Sequence, residues 1–573
     1  MLKLCTKKIK KMSNDEIIEA LELTAKLMEL HDGDVFKIKT YNAAAYSLNR
    51  LTDVHLATMS IDELSKLQSV GKGTAAKMIE LVQTGQLKEL DELTSKTPQG
   101  VLDMFNVKGI GPKKISTIWR ELGIDNLREL ELACQNGQIA KLKGFGENIQ
   151  QKILDSLAFL QSQVGKLRMN KADELVSRIE LCLEPFFEKF EKCGQMVRRC
   201  ETIDTIQFIV ATNSIVQDNL IINSLEGFVQ DVKSSSPFVW RGKVFEIEVA
   251  IEIWFVAIEK FEQSKFVLNA SENHLVTTLP SGGSLMKLVL SENVESEQEI
   301  YQKAGLPFIV PEMREGRNEF DWASKNTNDD LITWAALKGC VHNHSTYSDG
   351  KHSLRAMAEF CKGLGLEYFG IADHSRSATY ASGLPIEKVI EQQLEIDKLN
   401  IELAPFKILK GIESDILGDG SLDYPDDILA TFDYVVASVH SNLTMNQEKA
   451  MSRLIKAIEN PYTTILGHPT GRLLLSREGY PIDHQMIVDA CAANGVVLEL
   501  NASPWRLDLD WRWIDYAMEK GVMISINPDA HNTAGFDDMR YGVDIARKGG
   551  LTKAMTFNAL ELNEVLKHCK KNE

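Results

Sequence analysis

The C-terminal part of the chain repeats a pattern in which a short apolar run ends in a histidine or a carboxylate. These runs alternate with helical segments at the spacing of βα units, and they are Tyr368–Ala372, Lys407–Ile412, Tyr434–Val439, Thr464–Leu466, Val496–Leu500 and Val522–Ile526. Parallel strands joined by helices present their carboxyl ends on one face, so side chains from distant segments meet there. The pattern therefore predicts a parallel sheet or barrel with a polar site at one end.

The residues that close these runs have the chemistry of metal ligands. Eight of the twelve histidines lie between His342 and His531, in the acidic part of the chain. A single buried histidine is more often a core residue, but six strand ends with ligand chemistry indicate a metal site. The candidate ligands are His342, His344, Asp349, His374, Glu413, His440, His468, Asp529 and His531.

Nine candidate ligands exceed the coordination sphere of one ion, so we expect two or three divalent ions that share a bridging carboxylate. Imidazoles and carboxylates without thiolates suit Zn²⁺, Mn²⁺ or Fe²⁺ in an open catalytic site. Neighbouring ions of this kind generate hydroxide near neutral pH and hold the oxygens of a phosphoryl group, which predicts hydrolysis of a phosphate ester. Arg472 and Arg506 each follow a predicted strand, where a guanidinium would bind substrate phosphate; a surface salt bridge is the alternative for both.

Three glycine-containing turns in the first 165 residues predict a second binding function. They are Val70-Gly71-Lys72-Gly73, Val107-Lys108-Gly109-Ile110-Gly111 and Leu142-Lys143-Gly144-Phe145-Gly146, and each begins a helical stretch. Paired glycines leave amide groups at a helix N-terminus open to a phosphate oxygen, and Lys72 and Lys113 add positive charge. One such turn could be a simple helix–helix connection. Three in series predict helix–hairpin–helix motifs that hold DNA without reading its sequence.

Composition limits where this chemistry can occur. Residues 1–165 carry 22 basic and 21 acidic side chains, and the remainder carries 42 basic and 60 acidic ones, so any DNA contact must come from local basic groups or metal ions.

The nine cysteines show no C-x-x-C pair, which favours reduced thiols. No apolar stretch is long enough for a membrane span, and the basic segment Lys3 to Lys11 precedes polar residues rather than a signal sequence. We expect a cytoplasmic protein without membrane contact.

The H-x-H, A-D-H, G-I-E, S-x-H, G-H-P and D-A-H series resembles the PHP (polymerase and histidinol phosphatase) phosphoesterases over about residues 335–570. The resemblance implies a distorted (β/α) barrel in which all nine ligand positions of that family are filled. By the same resemblance, one metal would be held by His342, His344, Glu413 and Asp529, a second by Glu413, His440 and His468, and a third by Asp349, His374 and His531.

The first 320 residues resemble the core of the family X DNA polymerases. The resemblance rests on the three hairpins and on the segments Phe36–Tyr41, Lys192–Gln195, Phe261–Lys265 and Pro311–Gly316. It implies a multidomain chain with a helical lyase-like domain over 1–90, a helical fingers-like domain over 91–168, an α+β palm and thumb over 169–325, and the PHP domain over 326–573. Lys77 matches the lysine that forms a Schiff base in family X lyase domains; a solvated lysine that contacts phosphate is the alternative.

The palm departs from the family pattern at its metal-binding positions. Strand-like runs are predicted at Ile206–Ala211, Val244–Val256 and Leu285–Leu290. Family X polymerases hold two Mg²⁺ through a D-x-D on one palm strand and a third Asp on the next, but here these positions read Thr205, Gln207 and Phe245. Asp204 and Glu246 lie one residue away and therefore on the opposite strand face. We expect a palm that folds without holding Mg²⁺, so that nucleotide addition is absent or severely weakened.

These features together favour a metal-dependent DNA phosphoesterase of DNA repair, a 3′→5′ exonuclease or 3′-end-processing enzyme that acts on gapped or nicked DNA. Three alternatives stay open: a gap-filling polymerase with a PHP nuclease, a phosphatase of small metabolites, and a DNA-binding scaffold without chemistry. The hairpins weigh against the metabolite phosphatase and the complete ligand set against the scaffold. The sequence gives no information about the oligomeric state.

Overall fold

A computed structural model describes residues 12–49, 55–292 and 294–569, and the basic segment from Lys3 to Lys11 lies outside this range. The chain forms two compact units, divided between Val164 and Gly165. No helix in the described part is long and apolar enough to span a bilayer.

The first unit is helical throughout its described residues, as the 3–4 spacing of its apolar side chains predicts. One apolar core includes Leu21 and Met78, and a second includes Ile115 and Ile153, all fully buried. The predicted domain limit near residue 90 falls between these cores and stays a prediction. The helices are α1 (Asn14–Leu30), α2 (Val35–Asn49), α3 (Ile61–Leu64), α4 (Lys72–Thr84), α5 (Lys88–Ser95), α6 (Gln99–Asp103), α7 (Pro112–Leu122), α8 (Leu127–Gln135) and α9 (Glu147–Gln163).

The second unit begins with a five-stranded sheet in the order β2-β4-β7-β6-β5, in which only β4 and β7 run parallel. Its elements are β1 (Leu167–Arg168), α10 (Met169–Leu183), β2 (Phe190–Cys193), β3 (Thr202–Ile203), β4 (Thr205–Thr212), α11 (Ile215–Ser224), β5 (Phe228–Gln230), β6 (Val239–Val244) and β7 (Ile247–Ala257). One sheet face packs on α10 and α11 through residues such as Phe208, Trp240 and Ile251. The predicted strand at Ile206–Ala211 is therefore confirmed within β4.

Five helices follow this sheet: α12 (Phe261–Leu268), α13 (Glu272–Leu275), α14 (Leu285–Ser291), α15 (Glu297–Ala304) and α16 (Glu319–Lys325). The prediction of a strand at Leu285–Leu290 is wrong, because α14 occupies this run. The Ser284 side chain accepts a hydrogen bond from the Lys287 amide and caps the helix. Leu285 and Val289, four residues apart, are both buried, so the run packs as a helix against its neighbours.

The remainder of the second unit is a ring of parallel strands with helices around it. Its elements are β8 (Gly339–Cys340), α17 (Leu354–Gly363), β9 (Tyr368–Gly370), α18 (Ile386–Glu402), β10 (Lys407–Leu409), β11 (Gly411–Asp415), α19 (Asp426–Leu429), β12 (Tyr434–Ser438), α20 (Gln447–Ile458), β13 (Ile465–Leu466), α21 (His484–Asn494), β14 (Val497–Asn501), α22 (Ile514–Glu519), β15 (Ile524–Asn527), α23 (Met539–Lys548) and α24 (Leu562–Cys569). Each of the six predicted runs overlaps one of these strands, and Lys407–Ile412 overlaps two, β10 and β11. The strands form two parallel sheets, β10-β9-β8 and β11-β12-β13-β14-β15.

Single β-bridges join the two sheets at two points. His374 bridges to Glu413, and Asn343 bridges to Ala530, both in parallel orientation. The strands thereby close into the distorted barrel that the family resemblance implies, and both closing points lie among the candidate ligands. The carboxyl ends of the strands consequently face one another across a small opening.

Candidate metal centre

Glu413 on β11 lies at the centre of the candidate ligands and is almost completely buried. Its Oε1 atom lies 3.2 Å from His342 Nε2, 3.1 Å from His440 Nε2 and 3.0 Å from His468 Nε2. Its Oε2 atom lies 2.8 Å from His374 Nδ1. Four imidazoles from four different strand ends thus surround one carboxylate.

The remaining ligand-type residues gather beside this group. His344 Nε2 lies 3.0 Å from Asp529 Oδ1. Asp349 Oδ1 lies 3.4 Å from His531 Nε2, 3.6 Å from His374 Nε2 and 4.0 Å from His344 Nδ1. The structure therefore brings all nine sequence-predicted residues together, although they are spread over 190 positions of the chain.

Ligand atoms within 4.8 Å of one another form four overlapping groups: His344 with Asp349, His374 and His531; His342 with Glu413 and His468; His342 with His344 and Asp529; and His374 with Glu413 and His440. The first of these groups contains Asp349, His374 and His531, which the family resemblance assigns to a third metal, and it also includes His344. Glu413 belongs to two groups, which is the position of a bridging carboxylate. Which residues share one ion stays a prediction.

The chemistry of these residues fits divalent cations. Several of their buried atoms approach a neighbour without the geometry of a hydrogen bond or have no neighbour to bond, namely His342 Nε2, both ring nitrogens of His344, His374 Nδ1, Glu413 Oε2 and His468 Nδ1. A buried polar atom without a partner costs about 1–3 kcal/mol, so a cluster of them is stable only if something else engages the lone pairs. Positive backbone φ angles at His342 (60°) and Asp529 (53°) add strain of the kind found at functional sites.

The electrostatics keep the carboxylates ionised and one imidazole neutral. Burial raises the pKa of Glu413, but the imidazoles of His440 and His342 outweigh it and hold this pKa well below its usual value. Burial, reinforced by His531 and His374, lowers the pKa of His344 to about 4. Burial lowers the pKa of His440 and His531, but the neighbouring carboxylates outweigh it and raise these pKa values to about 10 and about 9, so metal binding at these two imidazoles would displace a proton.

Two buried carboxylates that sequence reasoning missed orient the ligands. Glu499 Oε1 accepts a hydrogen bond from His342 Nδ1 at 2.5 Å, and Asp415 Oδ1 accepts one from His440 Nδ1 at 2.5 Å. Each bond keeps a proton on Nδ1, so Nε2, which faces Glu413, is the ring nitrogen available to a metal ion. A sequence signal existed, because Glu499 interrupts the apolar run of β14 and Asp415 lies two residues beyond Glu413 on the same strand face.

The two arginines expected to bind phosphate occupy different environments. Arg506 Nε lies 3.6 Å from Asp529 Oδ2, at the edge of the ligand cluster, and 19% of its side chain is exposed. Arg472 instead donates to the Arg506 carbonyl at 2.9 Å, to Asp510 at 2.8 Å and to the Leu507 carbonyl. Its guanidinium is engaged in holding the loop, so this geometry favours Arg506 for contact with substrate.

Two of the predicted DNA-binding hairpins have the expected form. Gly109 and Gly144 adopt left-handed φ angles of 89° and 84°, and Gly111 and Gly146 cap α7 and α9. A Cβ atom at Gly111, Gly144 or Gly146 would have no other atom within 4 Å, so the backbone there is open to a ligand. Lys113, in the first turn of α7, is 83% exposed.

The first hairpin is shifted from its predicted position. Ser69 carries the left-handed turn with φ of 62°, and Gly71 caps α4, whereas Lys72 and Gly73 lie inside the first turn of this helix. The turn of the first hairpin therefore lies two residues before the predicted Gly71-Lys72-Gly73 segment. The reason is that Ser69 occupies the left-handed turn position where the other two hairpins have glycine. On α4, Lys77 Nζ donates to Glu80 at 3.0 Å.

The palm strands place three polar positions side by side. Thr205 and Gln207 share a face of β4, and the parallel register pairs Gln207 with Glu252 on β7. Gln207 Nε2 donates a hydrogen bond to Glu252 Oε2 at 2.8 Å, and Arg241 Nε donates one to Glu252 Oε1 at 2.6 Å. Burial raises the pKa of Glu252, but the hydrogen bonds from Gln207, Arg241 and Trp254 outweigh it and lower this pKa. The charge of Glu252 is thus balanced by Arg241, and both of its oxygens accept hydrogen bonds within the protein.

The prediction that Phe245 occupies the third metal-binding position is wrong. Phe245 and Glu246 form the tight turn between β6 and β7, with φ angles of 53° and 61°. The residue that neighbours Gln207 on the next strand is Glu252. One of the three positions therefore retains a carboxylate, because strand register rather than distance along the chain decides which residues are neighbours.

Comparison with known protein families agrees with this organisation. Residues 12–87 match a family described as helix-hairpin-helix domain, residues 101–158 a SAM-like helix-hairpin-helix tandem, and residues 341–503 the PHP domain. The PHP match ends before Asp529 and His531, which the structure nevertheless brings to the site.

Comparison with individual proteins extends the likeness to nearly the whole chain. The chain is 35% identical over 575 residues to the DNA polymerase/3′-5′ exonuclease PolX of Bacillus subtilis strain 168, covering 98% of this chain and 100% of that protein. It is 29% identical over 174 residues to a probable phosphatase of Thermoanaerobacter sp. strain X514, covering 28% of this chain and 69% of that protein. A probable phosphatase of Acetivibrio thermocellus is 28% identical over 203 residues, 33% of this chain and 78% of its own length. Both resemblances found in the sequence are thereby confirmed.

Proposed function

The chain belongs to the family of the DNA polymerase/3′-5′ exonuclease PolX, and from this membership we propose that it is a metal-dependent DNA phosphoesterase that removes nucleotides from 3′ ends. The PHP barrel carries out the hydrolysis, the hairpins hold the DNA backbone, and the palm serves as a binding platform. Gapped or nicked duplexes are the proposed substrates, and a cytoplasmic location remains part of the proposal.

The arrangement of imidazoles and carboxylates around Glu413 is the observation that carries this proposal. Divalent ions bound here, for which we propose Zn²⁺, Mn²⁺ or Fe²⁺, would supply a hydroxide near neutral pH and stabilise charge on phosphoryl oxygens. The chain's own residues set the conditions for that chemistry. Glu499 and Asp415 fix the tautomers of His342 and His440, and Arg506 offers a guanidinium to the phosphodiester at the edge of the site.

The hairpins favour DNA over a small metabolite. Amide groups at the start of α7 and α9 and the open surface at Gly111 and Gly146 suit phosphate oxygens, and such contacts carry no sequence preference. A phosphatase of small molecules would gain nothing from these motifs, and the relatives named as probable phosphatases match only about a third of this chain or less. The palm supplies no second reaction in this proposal, because the Glu252 carboxylate is paired with Arg241 and hydrogen-bonded by Gln207.

The test uses the purified full-length chain, Mn²⁺ and a gapped duplex labelled at the 5′ end of the primer strand. We expect stepwise shortening of that strand without nucleotides and no extension when nucleotides are added. Glu413→Ala should lose bound metal and shortening together. Glu391→Gln, a charge removal on the exposed face of α18, is the control and should behave as the unmodified chain. A Glu413→Ala variant that digests DNA with full metal content would contradict the assignment.

A further inference from the structure

Asp349 differs from the other candidate ligands in how the fold positions it. The other eight lie in a strand or within four residues of its end, whereas Asp349 follows β8 by nine residues, in the loop that leads to α17. Its side chain is 29% exposed, more than that of any other candidate ligand except His531 at 35%. The sheet alone does not fix this carboxylate, so other contacts must hold the loop.

Asp373 is a completely buried carboxylate that lies outside the four ligand groups. Its Oδ1 atom accepts hydrogen bonds from the Ser345 amide at 2.7 Å and the Ser348 hydroxyl at 2.5 Å. Its Oδ2 atom accepts from the Ser345 hydroxyl at 2.7 Å and from Gln392 Nε2 at 2.6 Å. The hydrogen-bonding capacity of this carboxylate is thus directed at the protein rather than at an ion.

The two serines that donate to this carboxylate are neighbours of ligands in the sequence. One of them, Ser345, directly follows His344. The other, Ser348, directly precedes Asp349, and the carboxylate itself belongs to the residue before His374. All three ligands belong to the first of the four ligand groups described above. One buried carboxylate thus ties together the segments that carry three ligands of a single group.

Helix α18 supports the loop from the other side. Gln392 on this helix, which donates to the buried carboxylate, is 1% exposed, and the Tyr347 hydroxyl donates to Glu395 on the same helix at 2.7 Å. Within the loop, the Gly350 amide donates to the Ser345 carbonyl at 2.9 Å. The loop is therefore packed on α18, and the buried carboxylate connects the two.

We propose that Asp373 is a positioning residue for one ion of the metal centre, the ion held by the first ligand group. The proposal concerns metal binding and goes beyond the proposed function, because it does not depend on the substrate that is cut. Outer contacts of this kind typically change metal affinity about 10- to 100-fold. The ions bound around Glu413 should depend on Asp373 much less, since Glu413, His440 and His468 are placed by their strands.

The test loads the full-length chain with Zn²⁺ and follows the release of each ion to a chromogenic chelator. Asp373→Asn should weaken the binding of one ion per chain about 10- to 100-fold and leave the remaining affinity as in the unmodified chain. Asparagine has nearly the same shape, but its NH₂ group faces two of the four donors. Asp349→Asn should affect the same ion, so the double variant should lose no second ion.

Glu319→Gln is the matched control. This carboxylate on α16 is 2% exposed, and its oxygens lie 2.7 Å from His274 Nδ1 and from the amide nitrogens of Gly316 and Arg317. Loss of its charge should lower the melting temperature and leave every metal affinity unchanged. The control therefore separates the positioning of an ion from the stability of the fold.

Three results would overturn the positioning role: unchanged affinity for every ion in Asp373→Asn, joint loss of all ions in that variant, or loss of a second ion in the double variant. An unmodified chain that binds metal but cuts no DNA would refute the proposed function and leave this inference standing. If the unmodified chain binds no divalent ion, both fail.

Discussion

Replacing Glu499 by glutamine removes one acceptor from a carboxylate that is buried and fully engaged. Glu499 Oε1 accepts from His342 Nδ1 at 2.5 Å and Asn527 Nδ2 at 2.8 Å, and Oε2 accepts from the His468 amide at 2.7 Å and Asn501 Nδ2 at 3.3 Å. Glutamine has nearly the same shape but only one acceptor oxygen. Whichever way the amide turns, its NH₂ group faces two donors.

The size of the effect follows from these contacts. Two buried donors without partners cost about 1–3 kcal/mol each, so we expect the metal-free form to lose about 2–6 kcal/mol of unfolding free energy. His342 and His468 also lose support as ligands. Loss of such an outer contact typically lowers metal affinity or activity about 10- to 100-fold, and Glu499→Gln should fall in this range.

Two measurements check this prediction. Competition titration with a chromogenic chelator gives the affinity for Zn²⁺, and urea unfolding of the metal-free protein gives the change in stability. Glu391→Gln makes the same chemical change on an exposed helix face and should shift stability by no more than about 0.5 kcal/mol. Unchanged metal affinity together with an unchanged unfolding midpoint in Glu499→Gln would refute the reasoning from the hydrogen bonds.

Three further predictions follow from the placement of single residues. Arg506→Ala should raise KM or lower kcat for DNA with metal content unchanged, as steady-state kinetics would show. Arg472→Ala should mainly lower the melting temperature in calorimetry, because Arg472 donates to backbone carbonyls and to Asp510. A kinetic defect in Arg472→Ala and a stability loss in Arg506→Ala would contradict both assignments. Lys77 pairs with Glu80, so borohydride trapping on a 5′-deoxyribose-phosphate end should give no adduct, and an adduct that disappears in Lys77→Ala would establish a lyase. Gapped-primer extension should be absent with Mg²⁺ and nucleotides, and extension that persists in Glu413→Ala would show an active palm.

Local patterns in the sequence were sufficient to identify seven of the eight barrel strands, all except β8, and the nine residues of the ligand cluster. Alternation of apolar runs with helices shows which segments are strands, and a histidine or carboxylate at a run end is visible without knowledge of its neighbours. The helices that follow the hairpins could also be predicted from the sequence, because glycine at a helix start is a local signal. The strand predicted at Leu285–Leu290 was wrong because it relied on a local pattern alone. A short apolar run does not distinguish a strand from a buried helix.

The tertiary structure decided which of these residues are neighbours. Glu413 touches four imidazoles because strand register and barrel closure bring their ends together, and Glu252 rather than Phe245 adjoins Gln207 because β4 and β7 pair in parallel. Glu499 and Asp415 gained their roles only through partners 157 and 25 positions away. The sequence states the type of each side chain, and the alternation of neighbouring residues shows which strand face it occupies. The register between strands depends on the packing of the whole barrel, and no local pattern contains that information.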